Sequence, residues 1–130
     1  MFQLVWTDKY SVHDSDLDEQ HMMLFELIAS ISDMDRSDFS KELYQDYINA
    51  LEKYTAMHFK SEELHMQRIG YRELDRHKEL HGNFIDYVNS VTGNIDNARY
   101  DDMAGIVSFL EKWITHHILV EDRKYSAQAG

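Results

Sequence analysis

The sequence predicts an all-α protein: an antiparallel, up-down-up-down four-helix bundle preceded by an N-terminal arm. Three observations carry that prediction. Proline is absent from the 130 residues and only five glycines occur, where average usage of about 5 % would give roughly six prolines. A chain so poor in helix breakers suits long uninterrupted helices. Apolar residues also recur at steps of three and four along four separate stretches, the period of a helix that buries one face. The connections between these stretches are short, which makes neighbouring helices antiparallel.

Each element follows in order. Residues 1–14 read as an arm anchored by Phe2, Leu4, Trp6, Tyr10 and Val12. A first helix over roughly 16–34 carries Leu17, His21, Leu24, Ile28 and Ile31 on one stripe, with Ser15 as its N-cap and Asp16 and Asp18 in its first turn. A second, over roughly 38–69, is capped by Ser37 or Asp38 and carries Leu43, Tyr47, Leu51, Tyr54, His58, Glu62, His65 and Ile69. Gly70 suits the left-handed position just past its end. The third, roughly 72–92, carries Leu74, His77, His81, Phe84, Val88 and Val91, and Gly93-Asn94 breaks it. The fourth, roughly 101–122, carries Met103, Ile106, Leu110, Trp113, His117 and Val120. Ser126–Gly130 reads as a loose tail. The whole chain, 1–130, reads as a single domain.

Composition excludes several classes of function. A net charge of −11 opposes nucleic acid and anionic membrane surfaces as partners. No apolar run approaches the roughly 20 residues of a membrane span, and MFQLVWTDKY lacks the layout of a signal peptide. A cytoplasmic protein is the expectation. With no cysteine there is no disulfide framework, thiolate ligand or thiol nucleophile.

The chemistry lies in the polar residues of the core stripes. His58 and Glu62 stand four apart, as do His77 and His81, on either side of Gly70-Tyr71. On a helix that spacing stacks both members on one face. In an up-down bundle the start of the first helix, the end of the second, the start of the third and the end of the fourth share one end. His21, His58, Glu62, His77, His81 and His117 are therefore expected at one level. There is one mismatch. Counted from the connection between the first two helices, His21 is about 13 residues away and His58 about 20, a height difference of about 10 Å at 1.5 Å per residue. A longer loop or a shifted boundary has to absorb it.

Six buried polar groups are hard to explain as packing, because each unsatisfied one costs about 1–3 kcal/mol. A metal centre satisfies them together. Asp122, five residues beyond His117, offers a second carboxylate. A pool of nitrogen and oxygen donors without sulfur suits iron, and also zinc, manganese or copper.

The chain at this point resembles the hemerythrin family, in particular its single-domain bacterial members. The resemblance rests on Leu17-Asp18-x-Gln20-His21-x-x-Leu24, His58-Phe59-x-x-Glu62-Glu63, Gly70-Tyr71 followed by His77-Lys78-x-x-His81, and Trp113-x-x-x-His117-Ile118-x-x-x-Asp122. It covers nearly the whole chain, and the four motifs in order are far more specific than any one alone. It implies two iron ions joined by an oxo or hydroxo bridge. His77, His81 and His117 would hold one iron, His21 and His58 the other, and the carboxylates of Glu62 and Asp122 would bridge them. One coordination position would stay open on the two-histidine iron, under an apolar pocket of Leu24, Phe59, Trp113, Ile114 and Ile118. The implied function is reversible binding of dioxygen for storage, delivery or sensing, with no protein client indicated. One departure from the family pattern is His13, where a glycine is common after the arm's valine.

Other readings compete. Singly, His58 with Glu62 is an ordinary surface pair, His77 with His81 two exposed histidines, His117 a satisfied core histidine and Asp122 a surface charge. Their convergence is what argues for metal. Glu62-x-x-His65 matches the Glu-x-x-His signature of ferritin-like carboxylate bundles, but that fold needs a long crossover connection and more carboxylates. His77-Lys78-Glu79-Leu80-His81 has lysine where a zinc protease needs glutamate. Not an enzyme is the expectation, with an oxidase or peroxidase at the same site as one alternative and an oxygen-responsive module acting through a partner protein as another.

Overall fold

A computed structural model describes residues 6–34, 36–92 and 100–129. Helix α1 spans Ser15–Ser32, α2 Lys41–Arg68, α3 Leu74–Thr92 and α4 Tyr100–His116. A π-helical turn, His117–Asp122, joins α4 to a final helix α5, Arg123–Ala129. Two short 3-10 turns, Asp8–Tyr10 and Arg36–Asp38, sit in the arm and in the first connection. No strand occurs among the described residues. Helix α2 packs on both α1 and α3, and α1 packs on α4. This is the expected all-α four-helix bundle.

The helix ends show where local chemistry differs from the sequence reading. Helix α1 is capped by Asp14, not Ser15, because the Asp14 carboxylate accepts the Leu17 N–H at 3.0 Å. Ser40, not Ser37 or Asp38, caps α2 by accepting from Leu43 N at 3.0 Å. Arg36–Asp38 forms the 3-10 turn instead. Gly70 does end α2: at φ 65° its N–H donates to Gln67 O, and the Tyr71 N–H donates to Met66 O at 3.0 Å. That pair of bonds is a Schellman turn. The expected break at Gly93-Asn94 lies outside the described residues, as do Phe2 and Leu4.

Burial follows the expected stripes on α1 and α3 and departs from them elsewhere. On α2 the buried line is Tyr44, Ile48, Leu51, Thr55, His58, Glu62 and Met66. Leu43, Tyr47, Tyr54, His65 and Ile69 lie beside it, only partly buried. On α4 the stripe stops short of Val120, which is 41 % exposed. The π turn holds one extra residue, so Glu121 and Asp122 turn inward instead. The tail is not loose: α5 is helical to Ala129 and Tyr125 is fully buried.

The core is in two parts. The larger runs through the bundle and includes Leu24, Phe25, Ile28, Leu51, Phe59, Phe84, Leu110 and Ile114. A smaller one closes one end with Val12, Leu17, Met66, Tyr71 and Tyr125. A layer of buried histidines and carboxylates lies between them. Tyr71 and Tyr125 touch His77 from one side, and Phe59 and Trp113 stack on His81 and His117 from the other.

The arm is fastened to this end. The Asp18 carboxylate accepts from Val12 N at 2.8 Å and Ser11 Oγ at 2.6 Å. Between them His13 takes φ 60°, in the left-handed region where a non-glycine residue is strained by about 1–2 kcal/mol. The departure at His13 thus bears on the arm's turn geometry, and a histidine carries the strain there.

Candidate metal centre

Four helical segments bring the candidate ligands together. The height mismatch between His21 and His58 is taken up by the eight-residue connection 33–40 with its 3-10 turn. Their rings meet edge to face, with centroids 4.5 Å apart. His77 and His81 project from the first turns of α3, one turn apart. His117 and Asp122, five apart, would diverge by about 140° on a regular α-helix at 3.6 residues per turn. The π turn, whose bonds run i to i+5, brings them to the same side.

All seven side chains are almost wholly buried. Glu62 stands at the centre. Its Oε1 lies 2.9 Å from His77 Nε2, 2.9 Å from His81 Nε2 and 3.6 Å from His117 Nε2. Its Oε2 lies 3.4 Å from both His21 Nε2 and His58 Nε2. Asp122 divides the same way, with Oδ1 3.0 and 3.1 Å from His77 and His117 and Oδ2 3.3 Å from His21. Each carboxylate thus turns one oxygen to a three-histidine group and the other to a two-histidine group.

The donor atoms fit metal ions. His117 Nε2 is 3.1 Å from His77 Nε2 and 3.2 Å from His81 Nε2. Adjacent ligands about 2.1 Å from one ion at right angles stand about 3 Å apart. Glu62, His77, His81 and His117 form one group able to hold an ion, and His21, His58 and Glu62 form a second. Both ring nitrogens of His21 and both carboxylate oxygens of Asp122 are buried without a hydrogen bond. Their close contacts are off the line a hydrogen bond needs, and orphaned polar atoms of this kind cost about 1–3 kcal/mol each unless something else meets them.

The electrostatics favour a cation. Burial pushes the His117 and His21 pKa values down, but Asp122 and Glu62 outweigh it and hold them up at about 10 and about 9. For His58 burial wins, and its pKa is lowered. Burial works to raise Glu62, yet His117, His21, His58 and His77 together hold it well below the usual carboxylate range. Asp122 is likewise held low, with burial and Glu62 opposing and His117 and His21 prevailing. Two ionised carboxylates inside a ring of imidazoles attract positive charge to their midst.

An apolar cavity of about 10 Å³, large enough for about one very small molecule, lies in the main core beside this layer. Leu24, Phe59, Trp113 and Ile114 line it, with Ile28, Leu51, Thr55, Phe84 and Leu110. The Thr55 hydroxyl proton is taken up by Leu51 O at 2.8 Å. Ile118 is buried in the same core but does not line the cavity; it sits one turn further on, level with His117.

Residues 12–129 match the family described as the Hemerythrin HHE cation binding domain. The chain belongs to the hemerythrin family. Among its hemerythrin relatives, a bacteriohemerythrin of Clostridium acetobutylicum is 33 % identical over 127 residues, covering 93 % of this chain and 97 % of that one. A myohemerythrin of Riftia pachyptila is 30 % identical, covering 93 % and 89 %. The crystal structure of a wild-type hemerythrin superposes with a TM-score of 0.78 at 24 % identity, covering 97 % of each chain, a likeness of fold.

Several residues of this hemerythrin site carried no role in the sequence reading. The Tyr125 hydroxyl donates to Glu62 Oε2 at 3.1 Å. The spacing Ile118, Asp122, Tyr125 could have revealed it, had the fourth stripe been extended. Gln20 and Glu63 meet the outer nitrogens of His58 and His81 at 2.7 and 2.8 Å. Arg76, one residue before His77, grips Glu121 with two bonds of 2.6 and 3.2 Å. His13 and His116 are exposed and lie outside the cluster, and His65 pairs with Asp14 at 3.6 Å.

Proposed function

We infer that this chain binds dioxygen reversibly at a di-iron centre held by His21, His58, Glu62, His77, His81, His117 and Asp122. The observation that carries the reading is the division of the two carboxylates: Glu62 offers one oxygen to His77, His81 and His117 and the other to His21 and His58, and Asp122 offers one to His77 and His117 and the other to His21. Iron held by these residues would supply the electrons that dioxygen binding requires. The rest is the work of the chain. Five imidazoles leave the site less anionic than a carboxylate-rich shell, which favours the ferrous state. Phe59 and Trp113, stacked on His81 and His117, keep water away from the imidazoles. Tyr125 holds its proton, its pKa raised well above the usual tyrosine value by burial and by Glu62 and Asp122, so its hydroxyl serves Glu62 as a fixed donor.

A carrier suits this site better than an oxidase or peroxidase. No general acid lines the apolar cavity among the described residues, and proton delivery is what would drive bound oxygen onward to peroxide chemistry. Storage or delivery is the role we favour. A cytoplasmic location fits a strongly acidic chain that uses no disulfide; recovery in a membrane or extracellular fraction would overturn it.

Metal analysis joined to absorption spectra through cycles of deoxygenation and reoxygenation tests the function. Two irons per chain and full recovery of the oxygenated spectrum are expected. Rapid conversion to a stable oxidised form that releases no oxygen would end the carrier reading, and sustained peroxide turnover with a reductant would replace it with the enzyme.

A further inference from the structure

We propose that Gln20 is a positioning residue that sets His58 through a directed relay from Ser61, and that Gln20 and Glu63 make the two halves of the metal centre unequal as donors. The inference rests on the reading of His58 and His81 as ligands.

The relay has a fixed direction. The Ser61 hydroxyl donates its one proton to Met57 O at 3.1 Å. It can therefore only accept from Gln20 Nε2, 3.3 Å away. That contact turns the Gln20 amide nitrogen toward Ser61 and its oxygen toward His58 Nδ1, at 2.7 Å. An amide oxygen only accepts, so the proton of the neutral imidazole resides on Nδ1. The lone pair is left on Nε2, which faces the centre beside Glu62. Outer contacts of this kind fix both tautomer and ring orientation.

The asymmetry comes from charge. On the three-histidine side, His81 Nδ1 meets the Glu63 carboxylate at 2.8 Å. A carboxylate partner draws on the Nδ1 proton and makes the imidazole a stronger donor; a neutral amide does so much less. His21 has no partner at Nδ1. The two-histidine half is therefore served by a neutral outer shell, which favours the ferrous state there. Gln20 and Ser61 also line an open groove of about 500 Å³ between α1 and α2, so the Gln20 amide stands between that groove and His58.

The test compares Gln20→Leu, Gln20→Glu, Ser61→Ala, Glu63→Gln and His58→Ala in the full chain, loaded with zinc or with iron. Release of zinc to a chelator should be about 10–100-fold faster in Gln20→Leu. It should be near the parent rate in Gln20→Glu and modestly faster in Ser61→Ala. Imidazole NMR of the zinc form should place the His58 proton on Nδ1 in the parent and lose that single tautomer in Gln20→Leu. The reduction potential of the iron form should fall in Gln20→Glu and rise in Glu63→Gln. A merely structural role would lower the melting temperature of the metal-free variants without moving the potential in opposite directions, and that result overturns the inference. So does an unchanged release rate in Gln20→Leu. His58→Ala separates the two levels: if it keeps both metals the ligand reading itself fails, and if it loses metal while the Gln20 variants behave as the parent, only the relay fails.

Discussion

The two sides of the metal layer are built by different means. On the α2–α3 side, His58 and Glu62, then His77 and His81, sit at ordinary i, i+4 spacing on regular helix. A Schellman turn at Gly70 folds one helix back on the other. On the α4 side, His117 and Asp122 stand five apart and face inward only because the backbone adopts a π turn. That turn is tied down from three directions: Arg76 grips Glu121, Tyr125 donates to Glu62, and Arg123 donates to Lys9 O at 2.7 Å. A regular helix places its donors by periodicity alone. An irregular one needs fastening.

The sharpest break of this contrast is Glu62→Ala, which removes the carboxylate both sides share. It should strip both metals and, by leaving buried imidazoles without their counter-charge, destabilise the protein by about 3–5 kcal/mol in chemical denaturation. His117→Ala should also lose metal, whereas His13→Ala and His116→Ala should keep full metal content. Equal loss in all four would refute the ligand assignment.

Deleting Val120 attacks the irregular side alone. The shortened segment should revert to α-helix, giving a metal-free form more stable by about 1–3 kcal/mol if the π turn is strained. His117 and Asp122 would then stand four apart on one face of a regular helix, so metal should leave at about the parent rate. Much faster release would mean that aiming Asp122 needs the π turn itself and not merely a shared face.

Tyr125→Phe should cost about 1.5–3 kcal/mol, the range for a hydrogen bond to a charged group, read by urea unfolding of the metal-free protein. Arg76→Ala probes the outer clamp by pH. The Arg76 guanidinium, and next to it Lys124, hold Glu121 down at about 2 against burial. A depressed carboxylate stabilises the fold fully above its ordinary value of 4.5 and loses that contribution as pH falls toward 2. The variant should therefore begin acid unfolding at higher pH than the parent, and identical acid transitions would show the clamp to be idle. The smallest effect expected is from His13→Gly, which relieves a left-handed histidine and should stabilise by about 1 kcal/mol with metal content unchanged.

The regular side is also the side the sequence reveals. Steps of three and four locate α1, α2 and α3 and the facing His58, Glu62, His77 and His81, since periodicity is a direct image of an α-helix. The α2 stripe is read about one residue off at its ends because Tyr47 and Tyr54 look as apolar as Ile48 and Thr55. The irregular side is hidden for a physical reason. A π turn advances the register by one residue and leaves no compositional mark, so Val120 looks like core and Glu121 like surface when the reverse holds. Tyr125 is lost with it, because a helix thought to end at Asp122 has no stripe beyond. Asp14 and its neighbour Ser15 are both good caps in sequence, and only the bond to Leu17 decides between them.

Glu62 belongs to both donor groups, and that has a bearing on assembly. Whichever ion arrives first immobilises the carboxylate that the second needs, so the second meets a site already formed. Loading should be cooperative: native mass spectra taken during a metal titration should contain empty and doubly filled chains with few singly filled ones. The same linkage makes demetallation abrupt, so a cell short of iron would hold a mixture of complete and bare molecules rather than a population of half-filled ones.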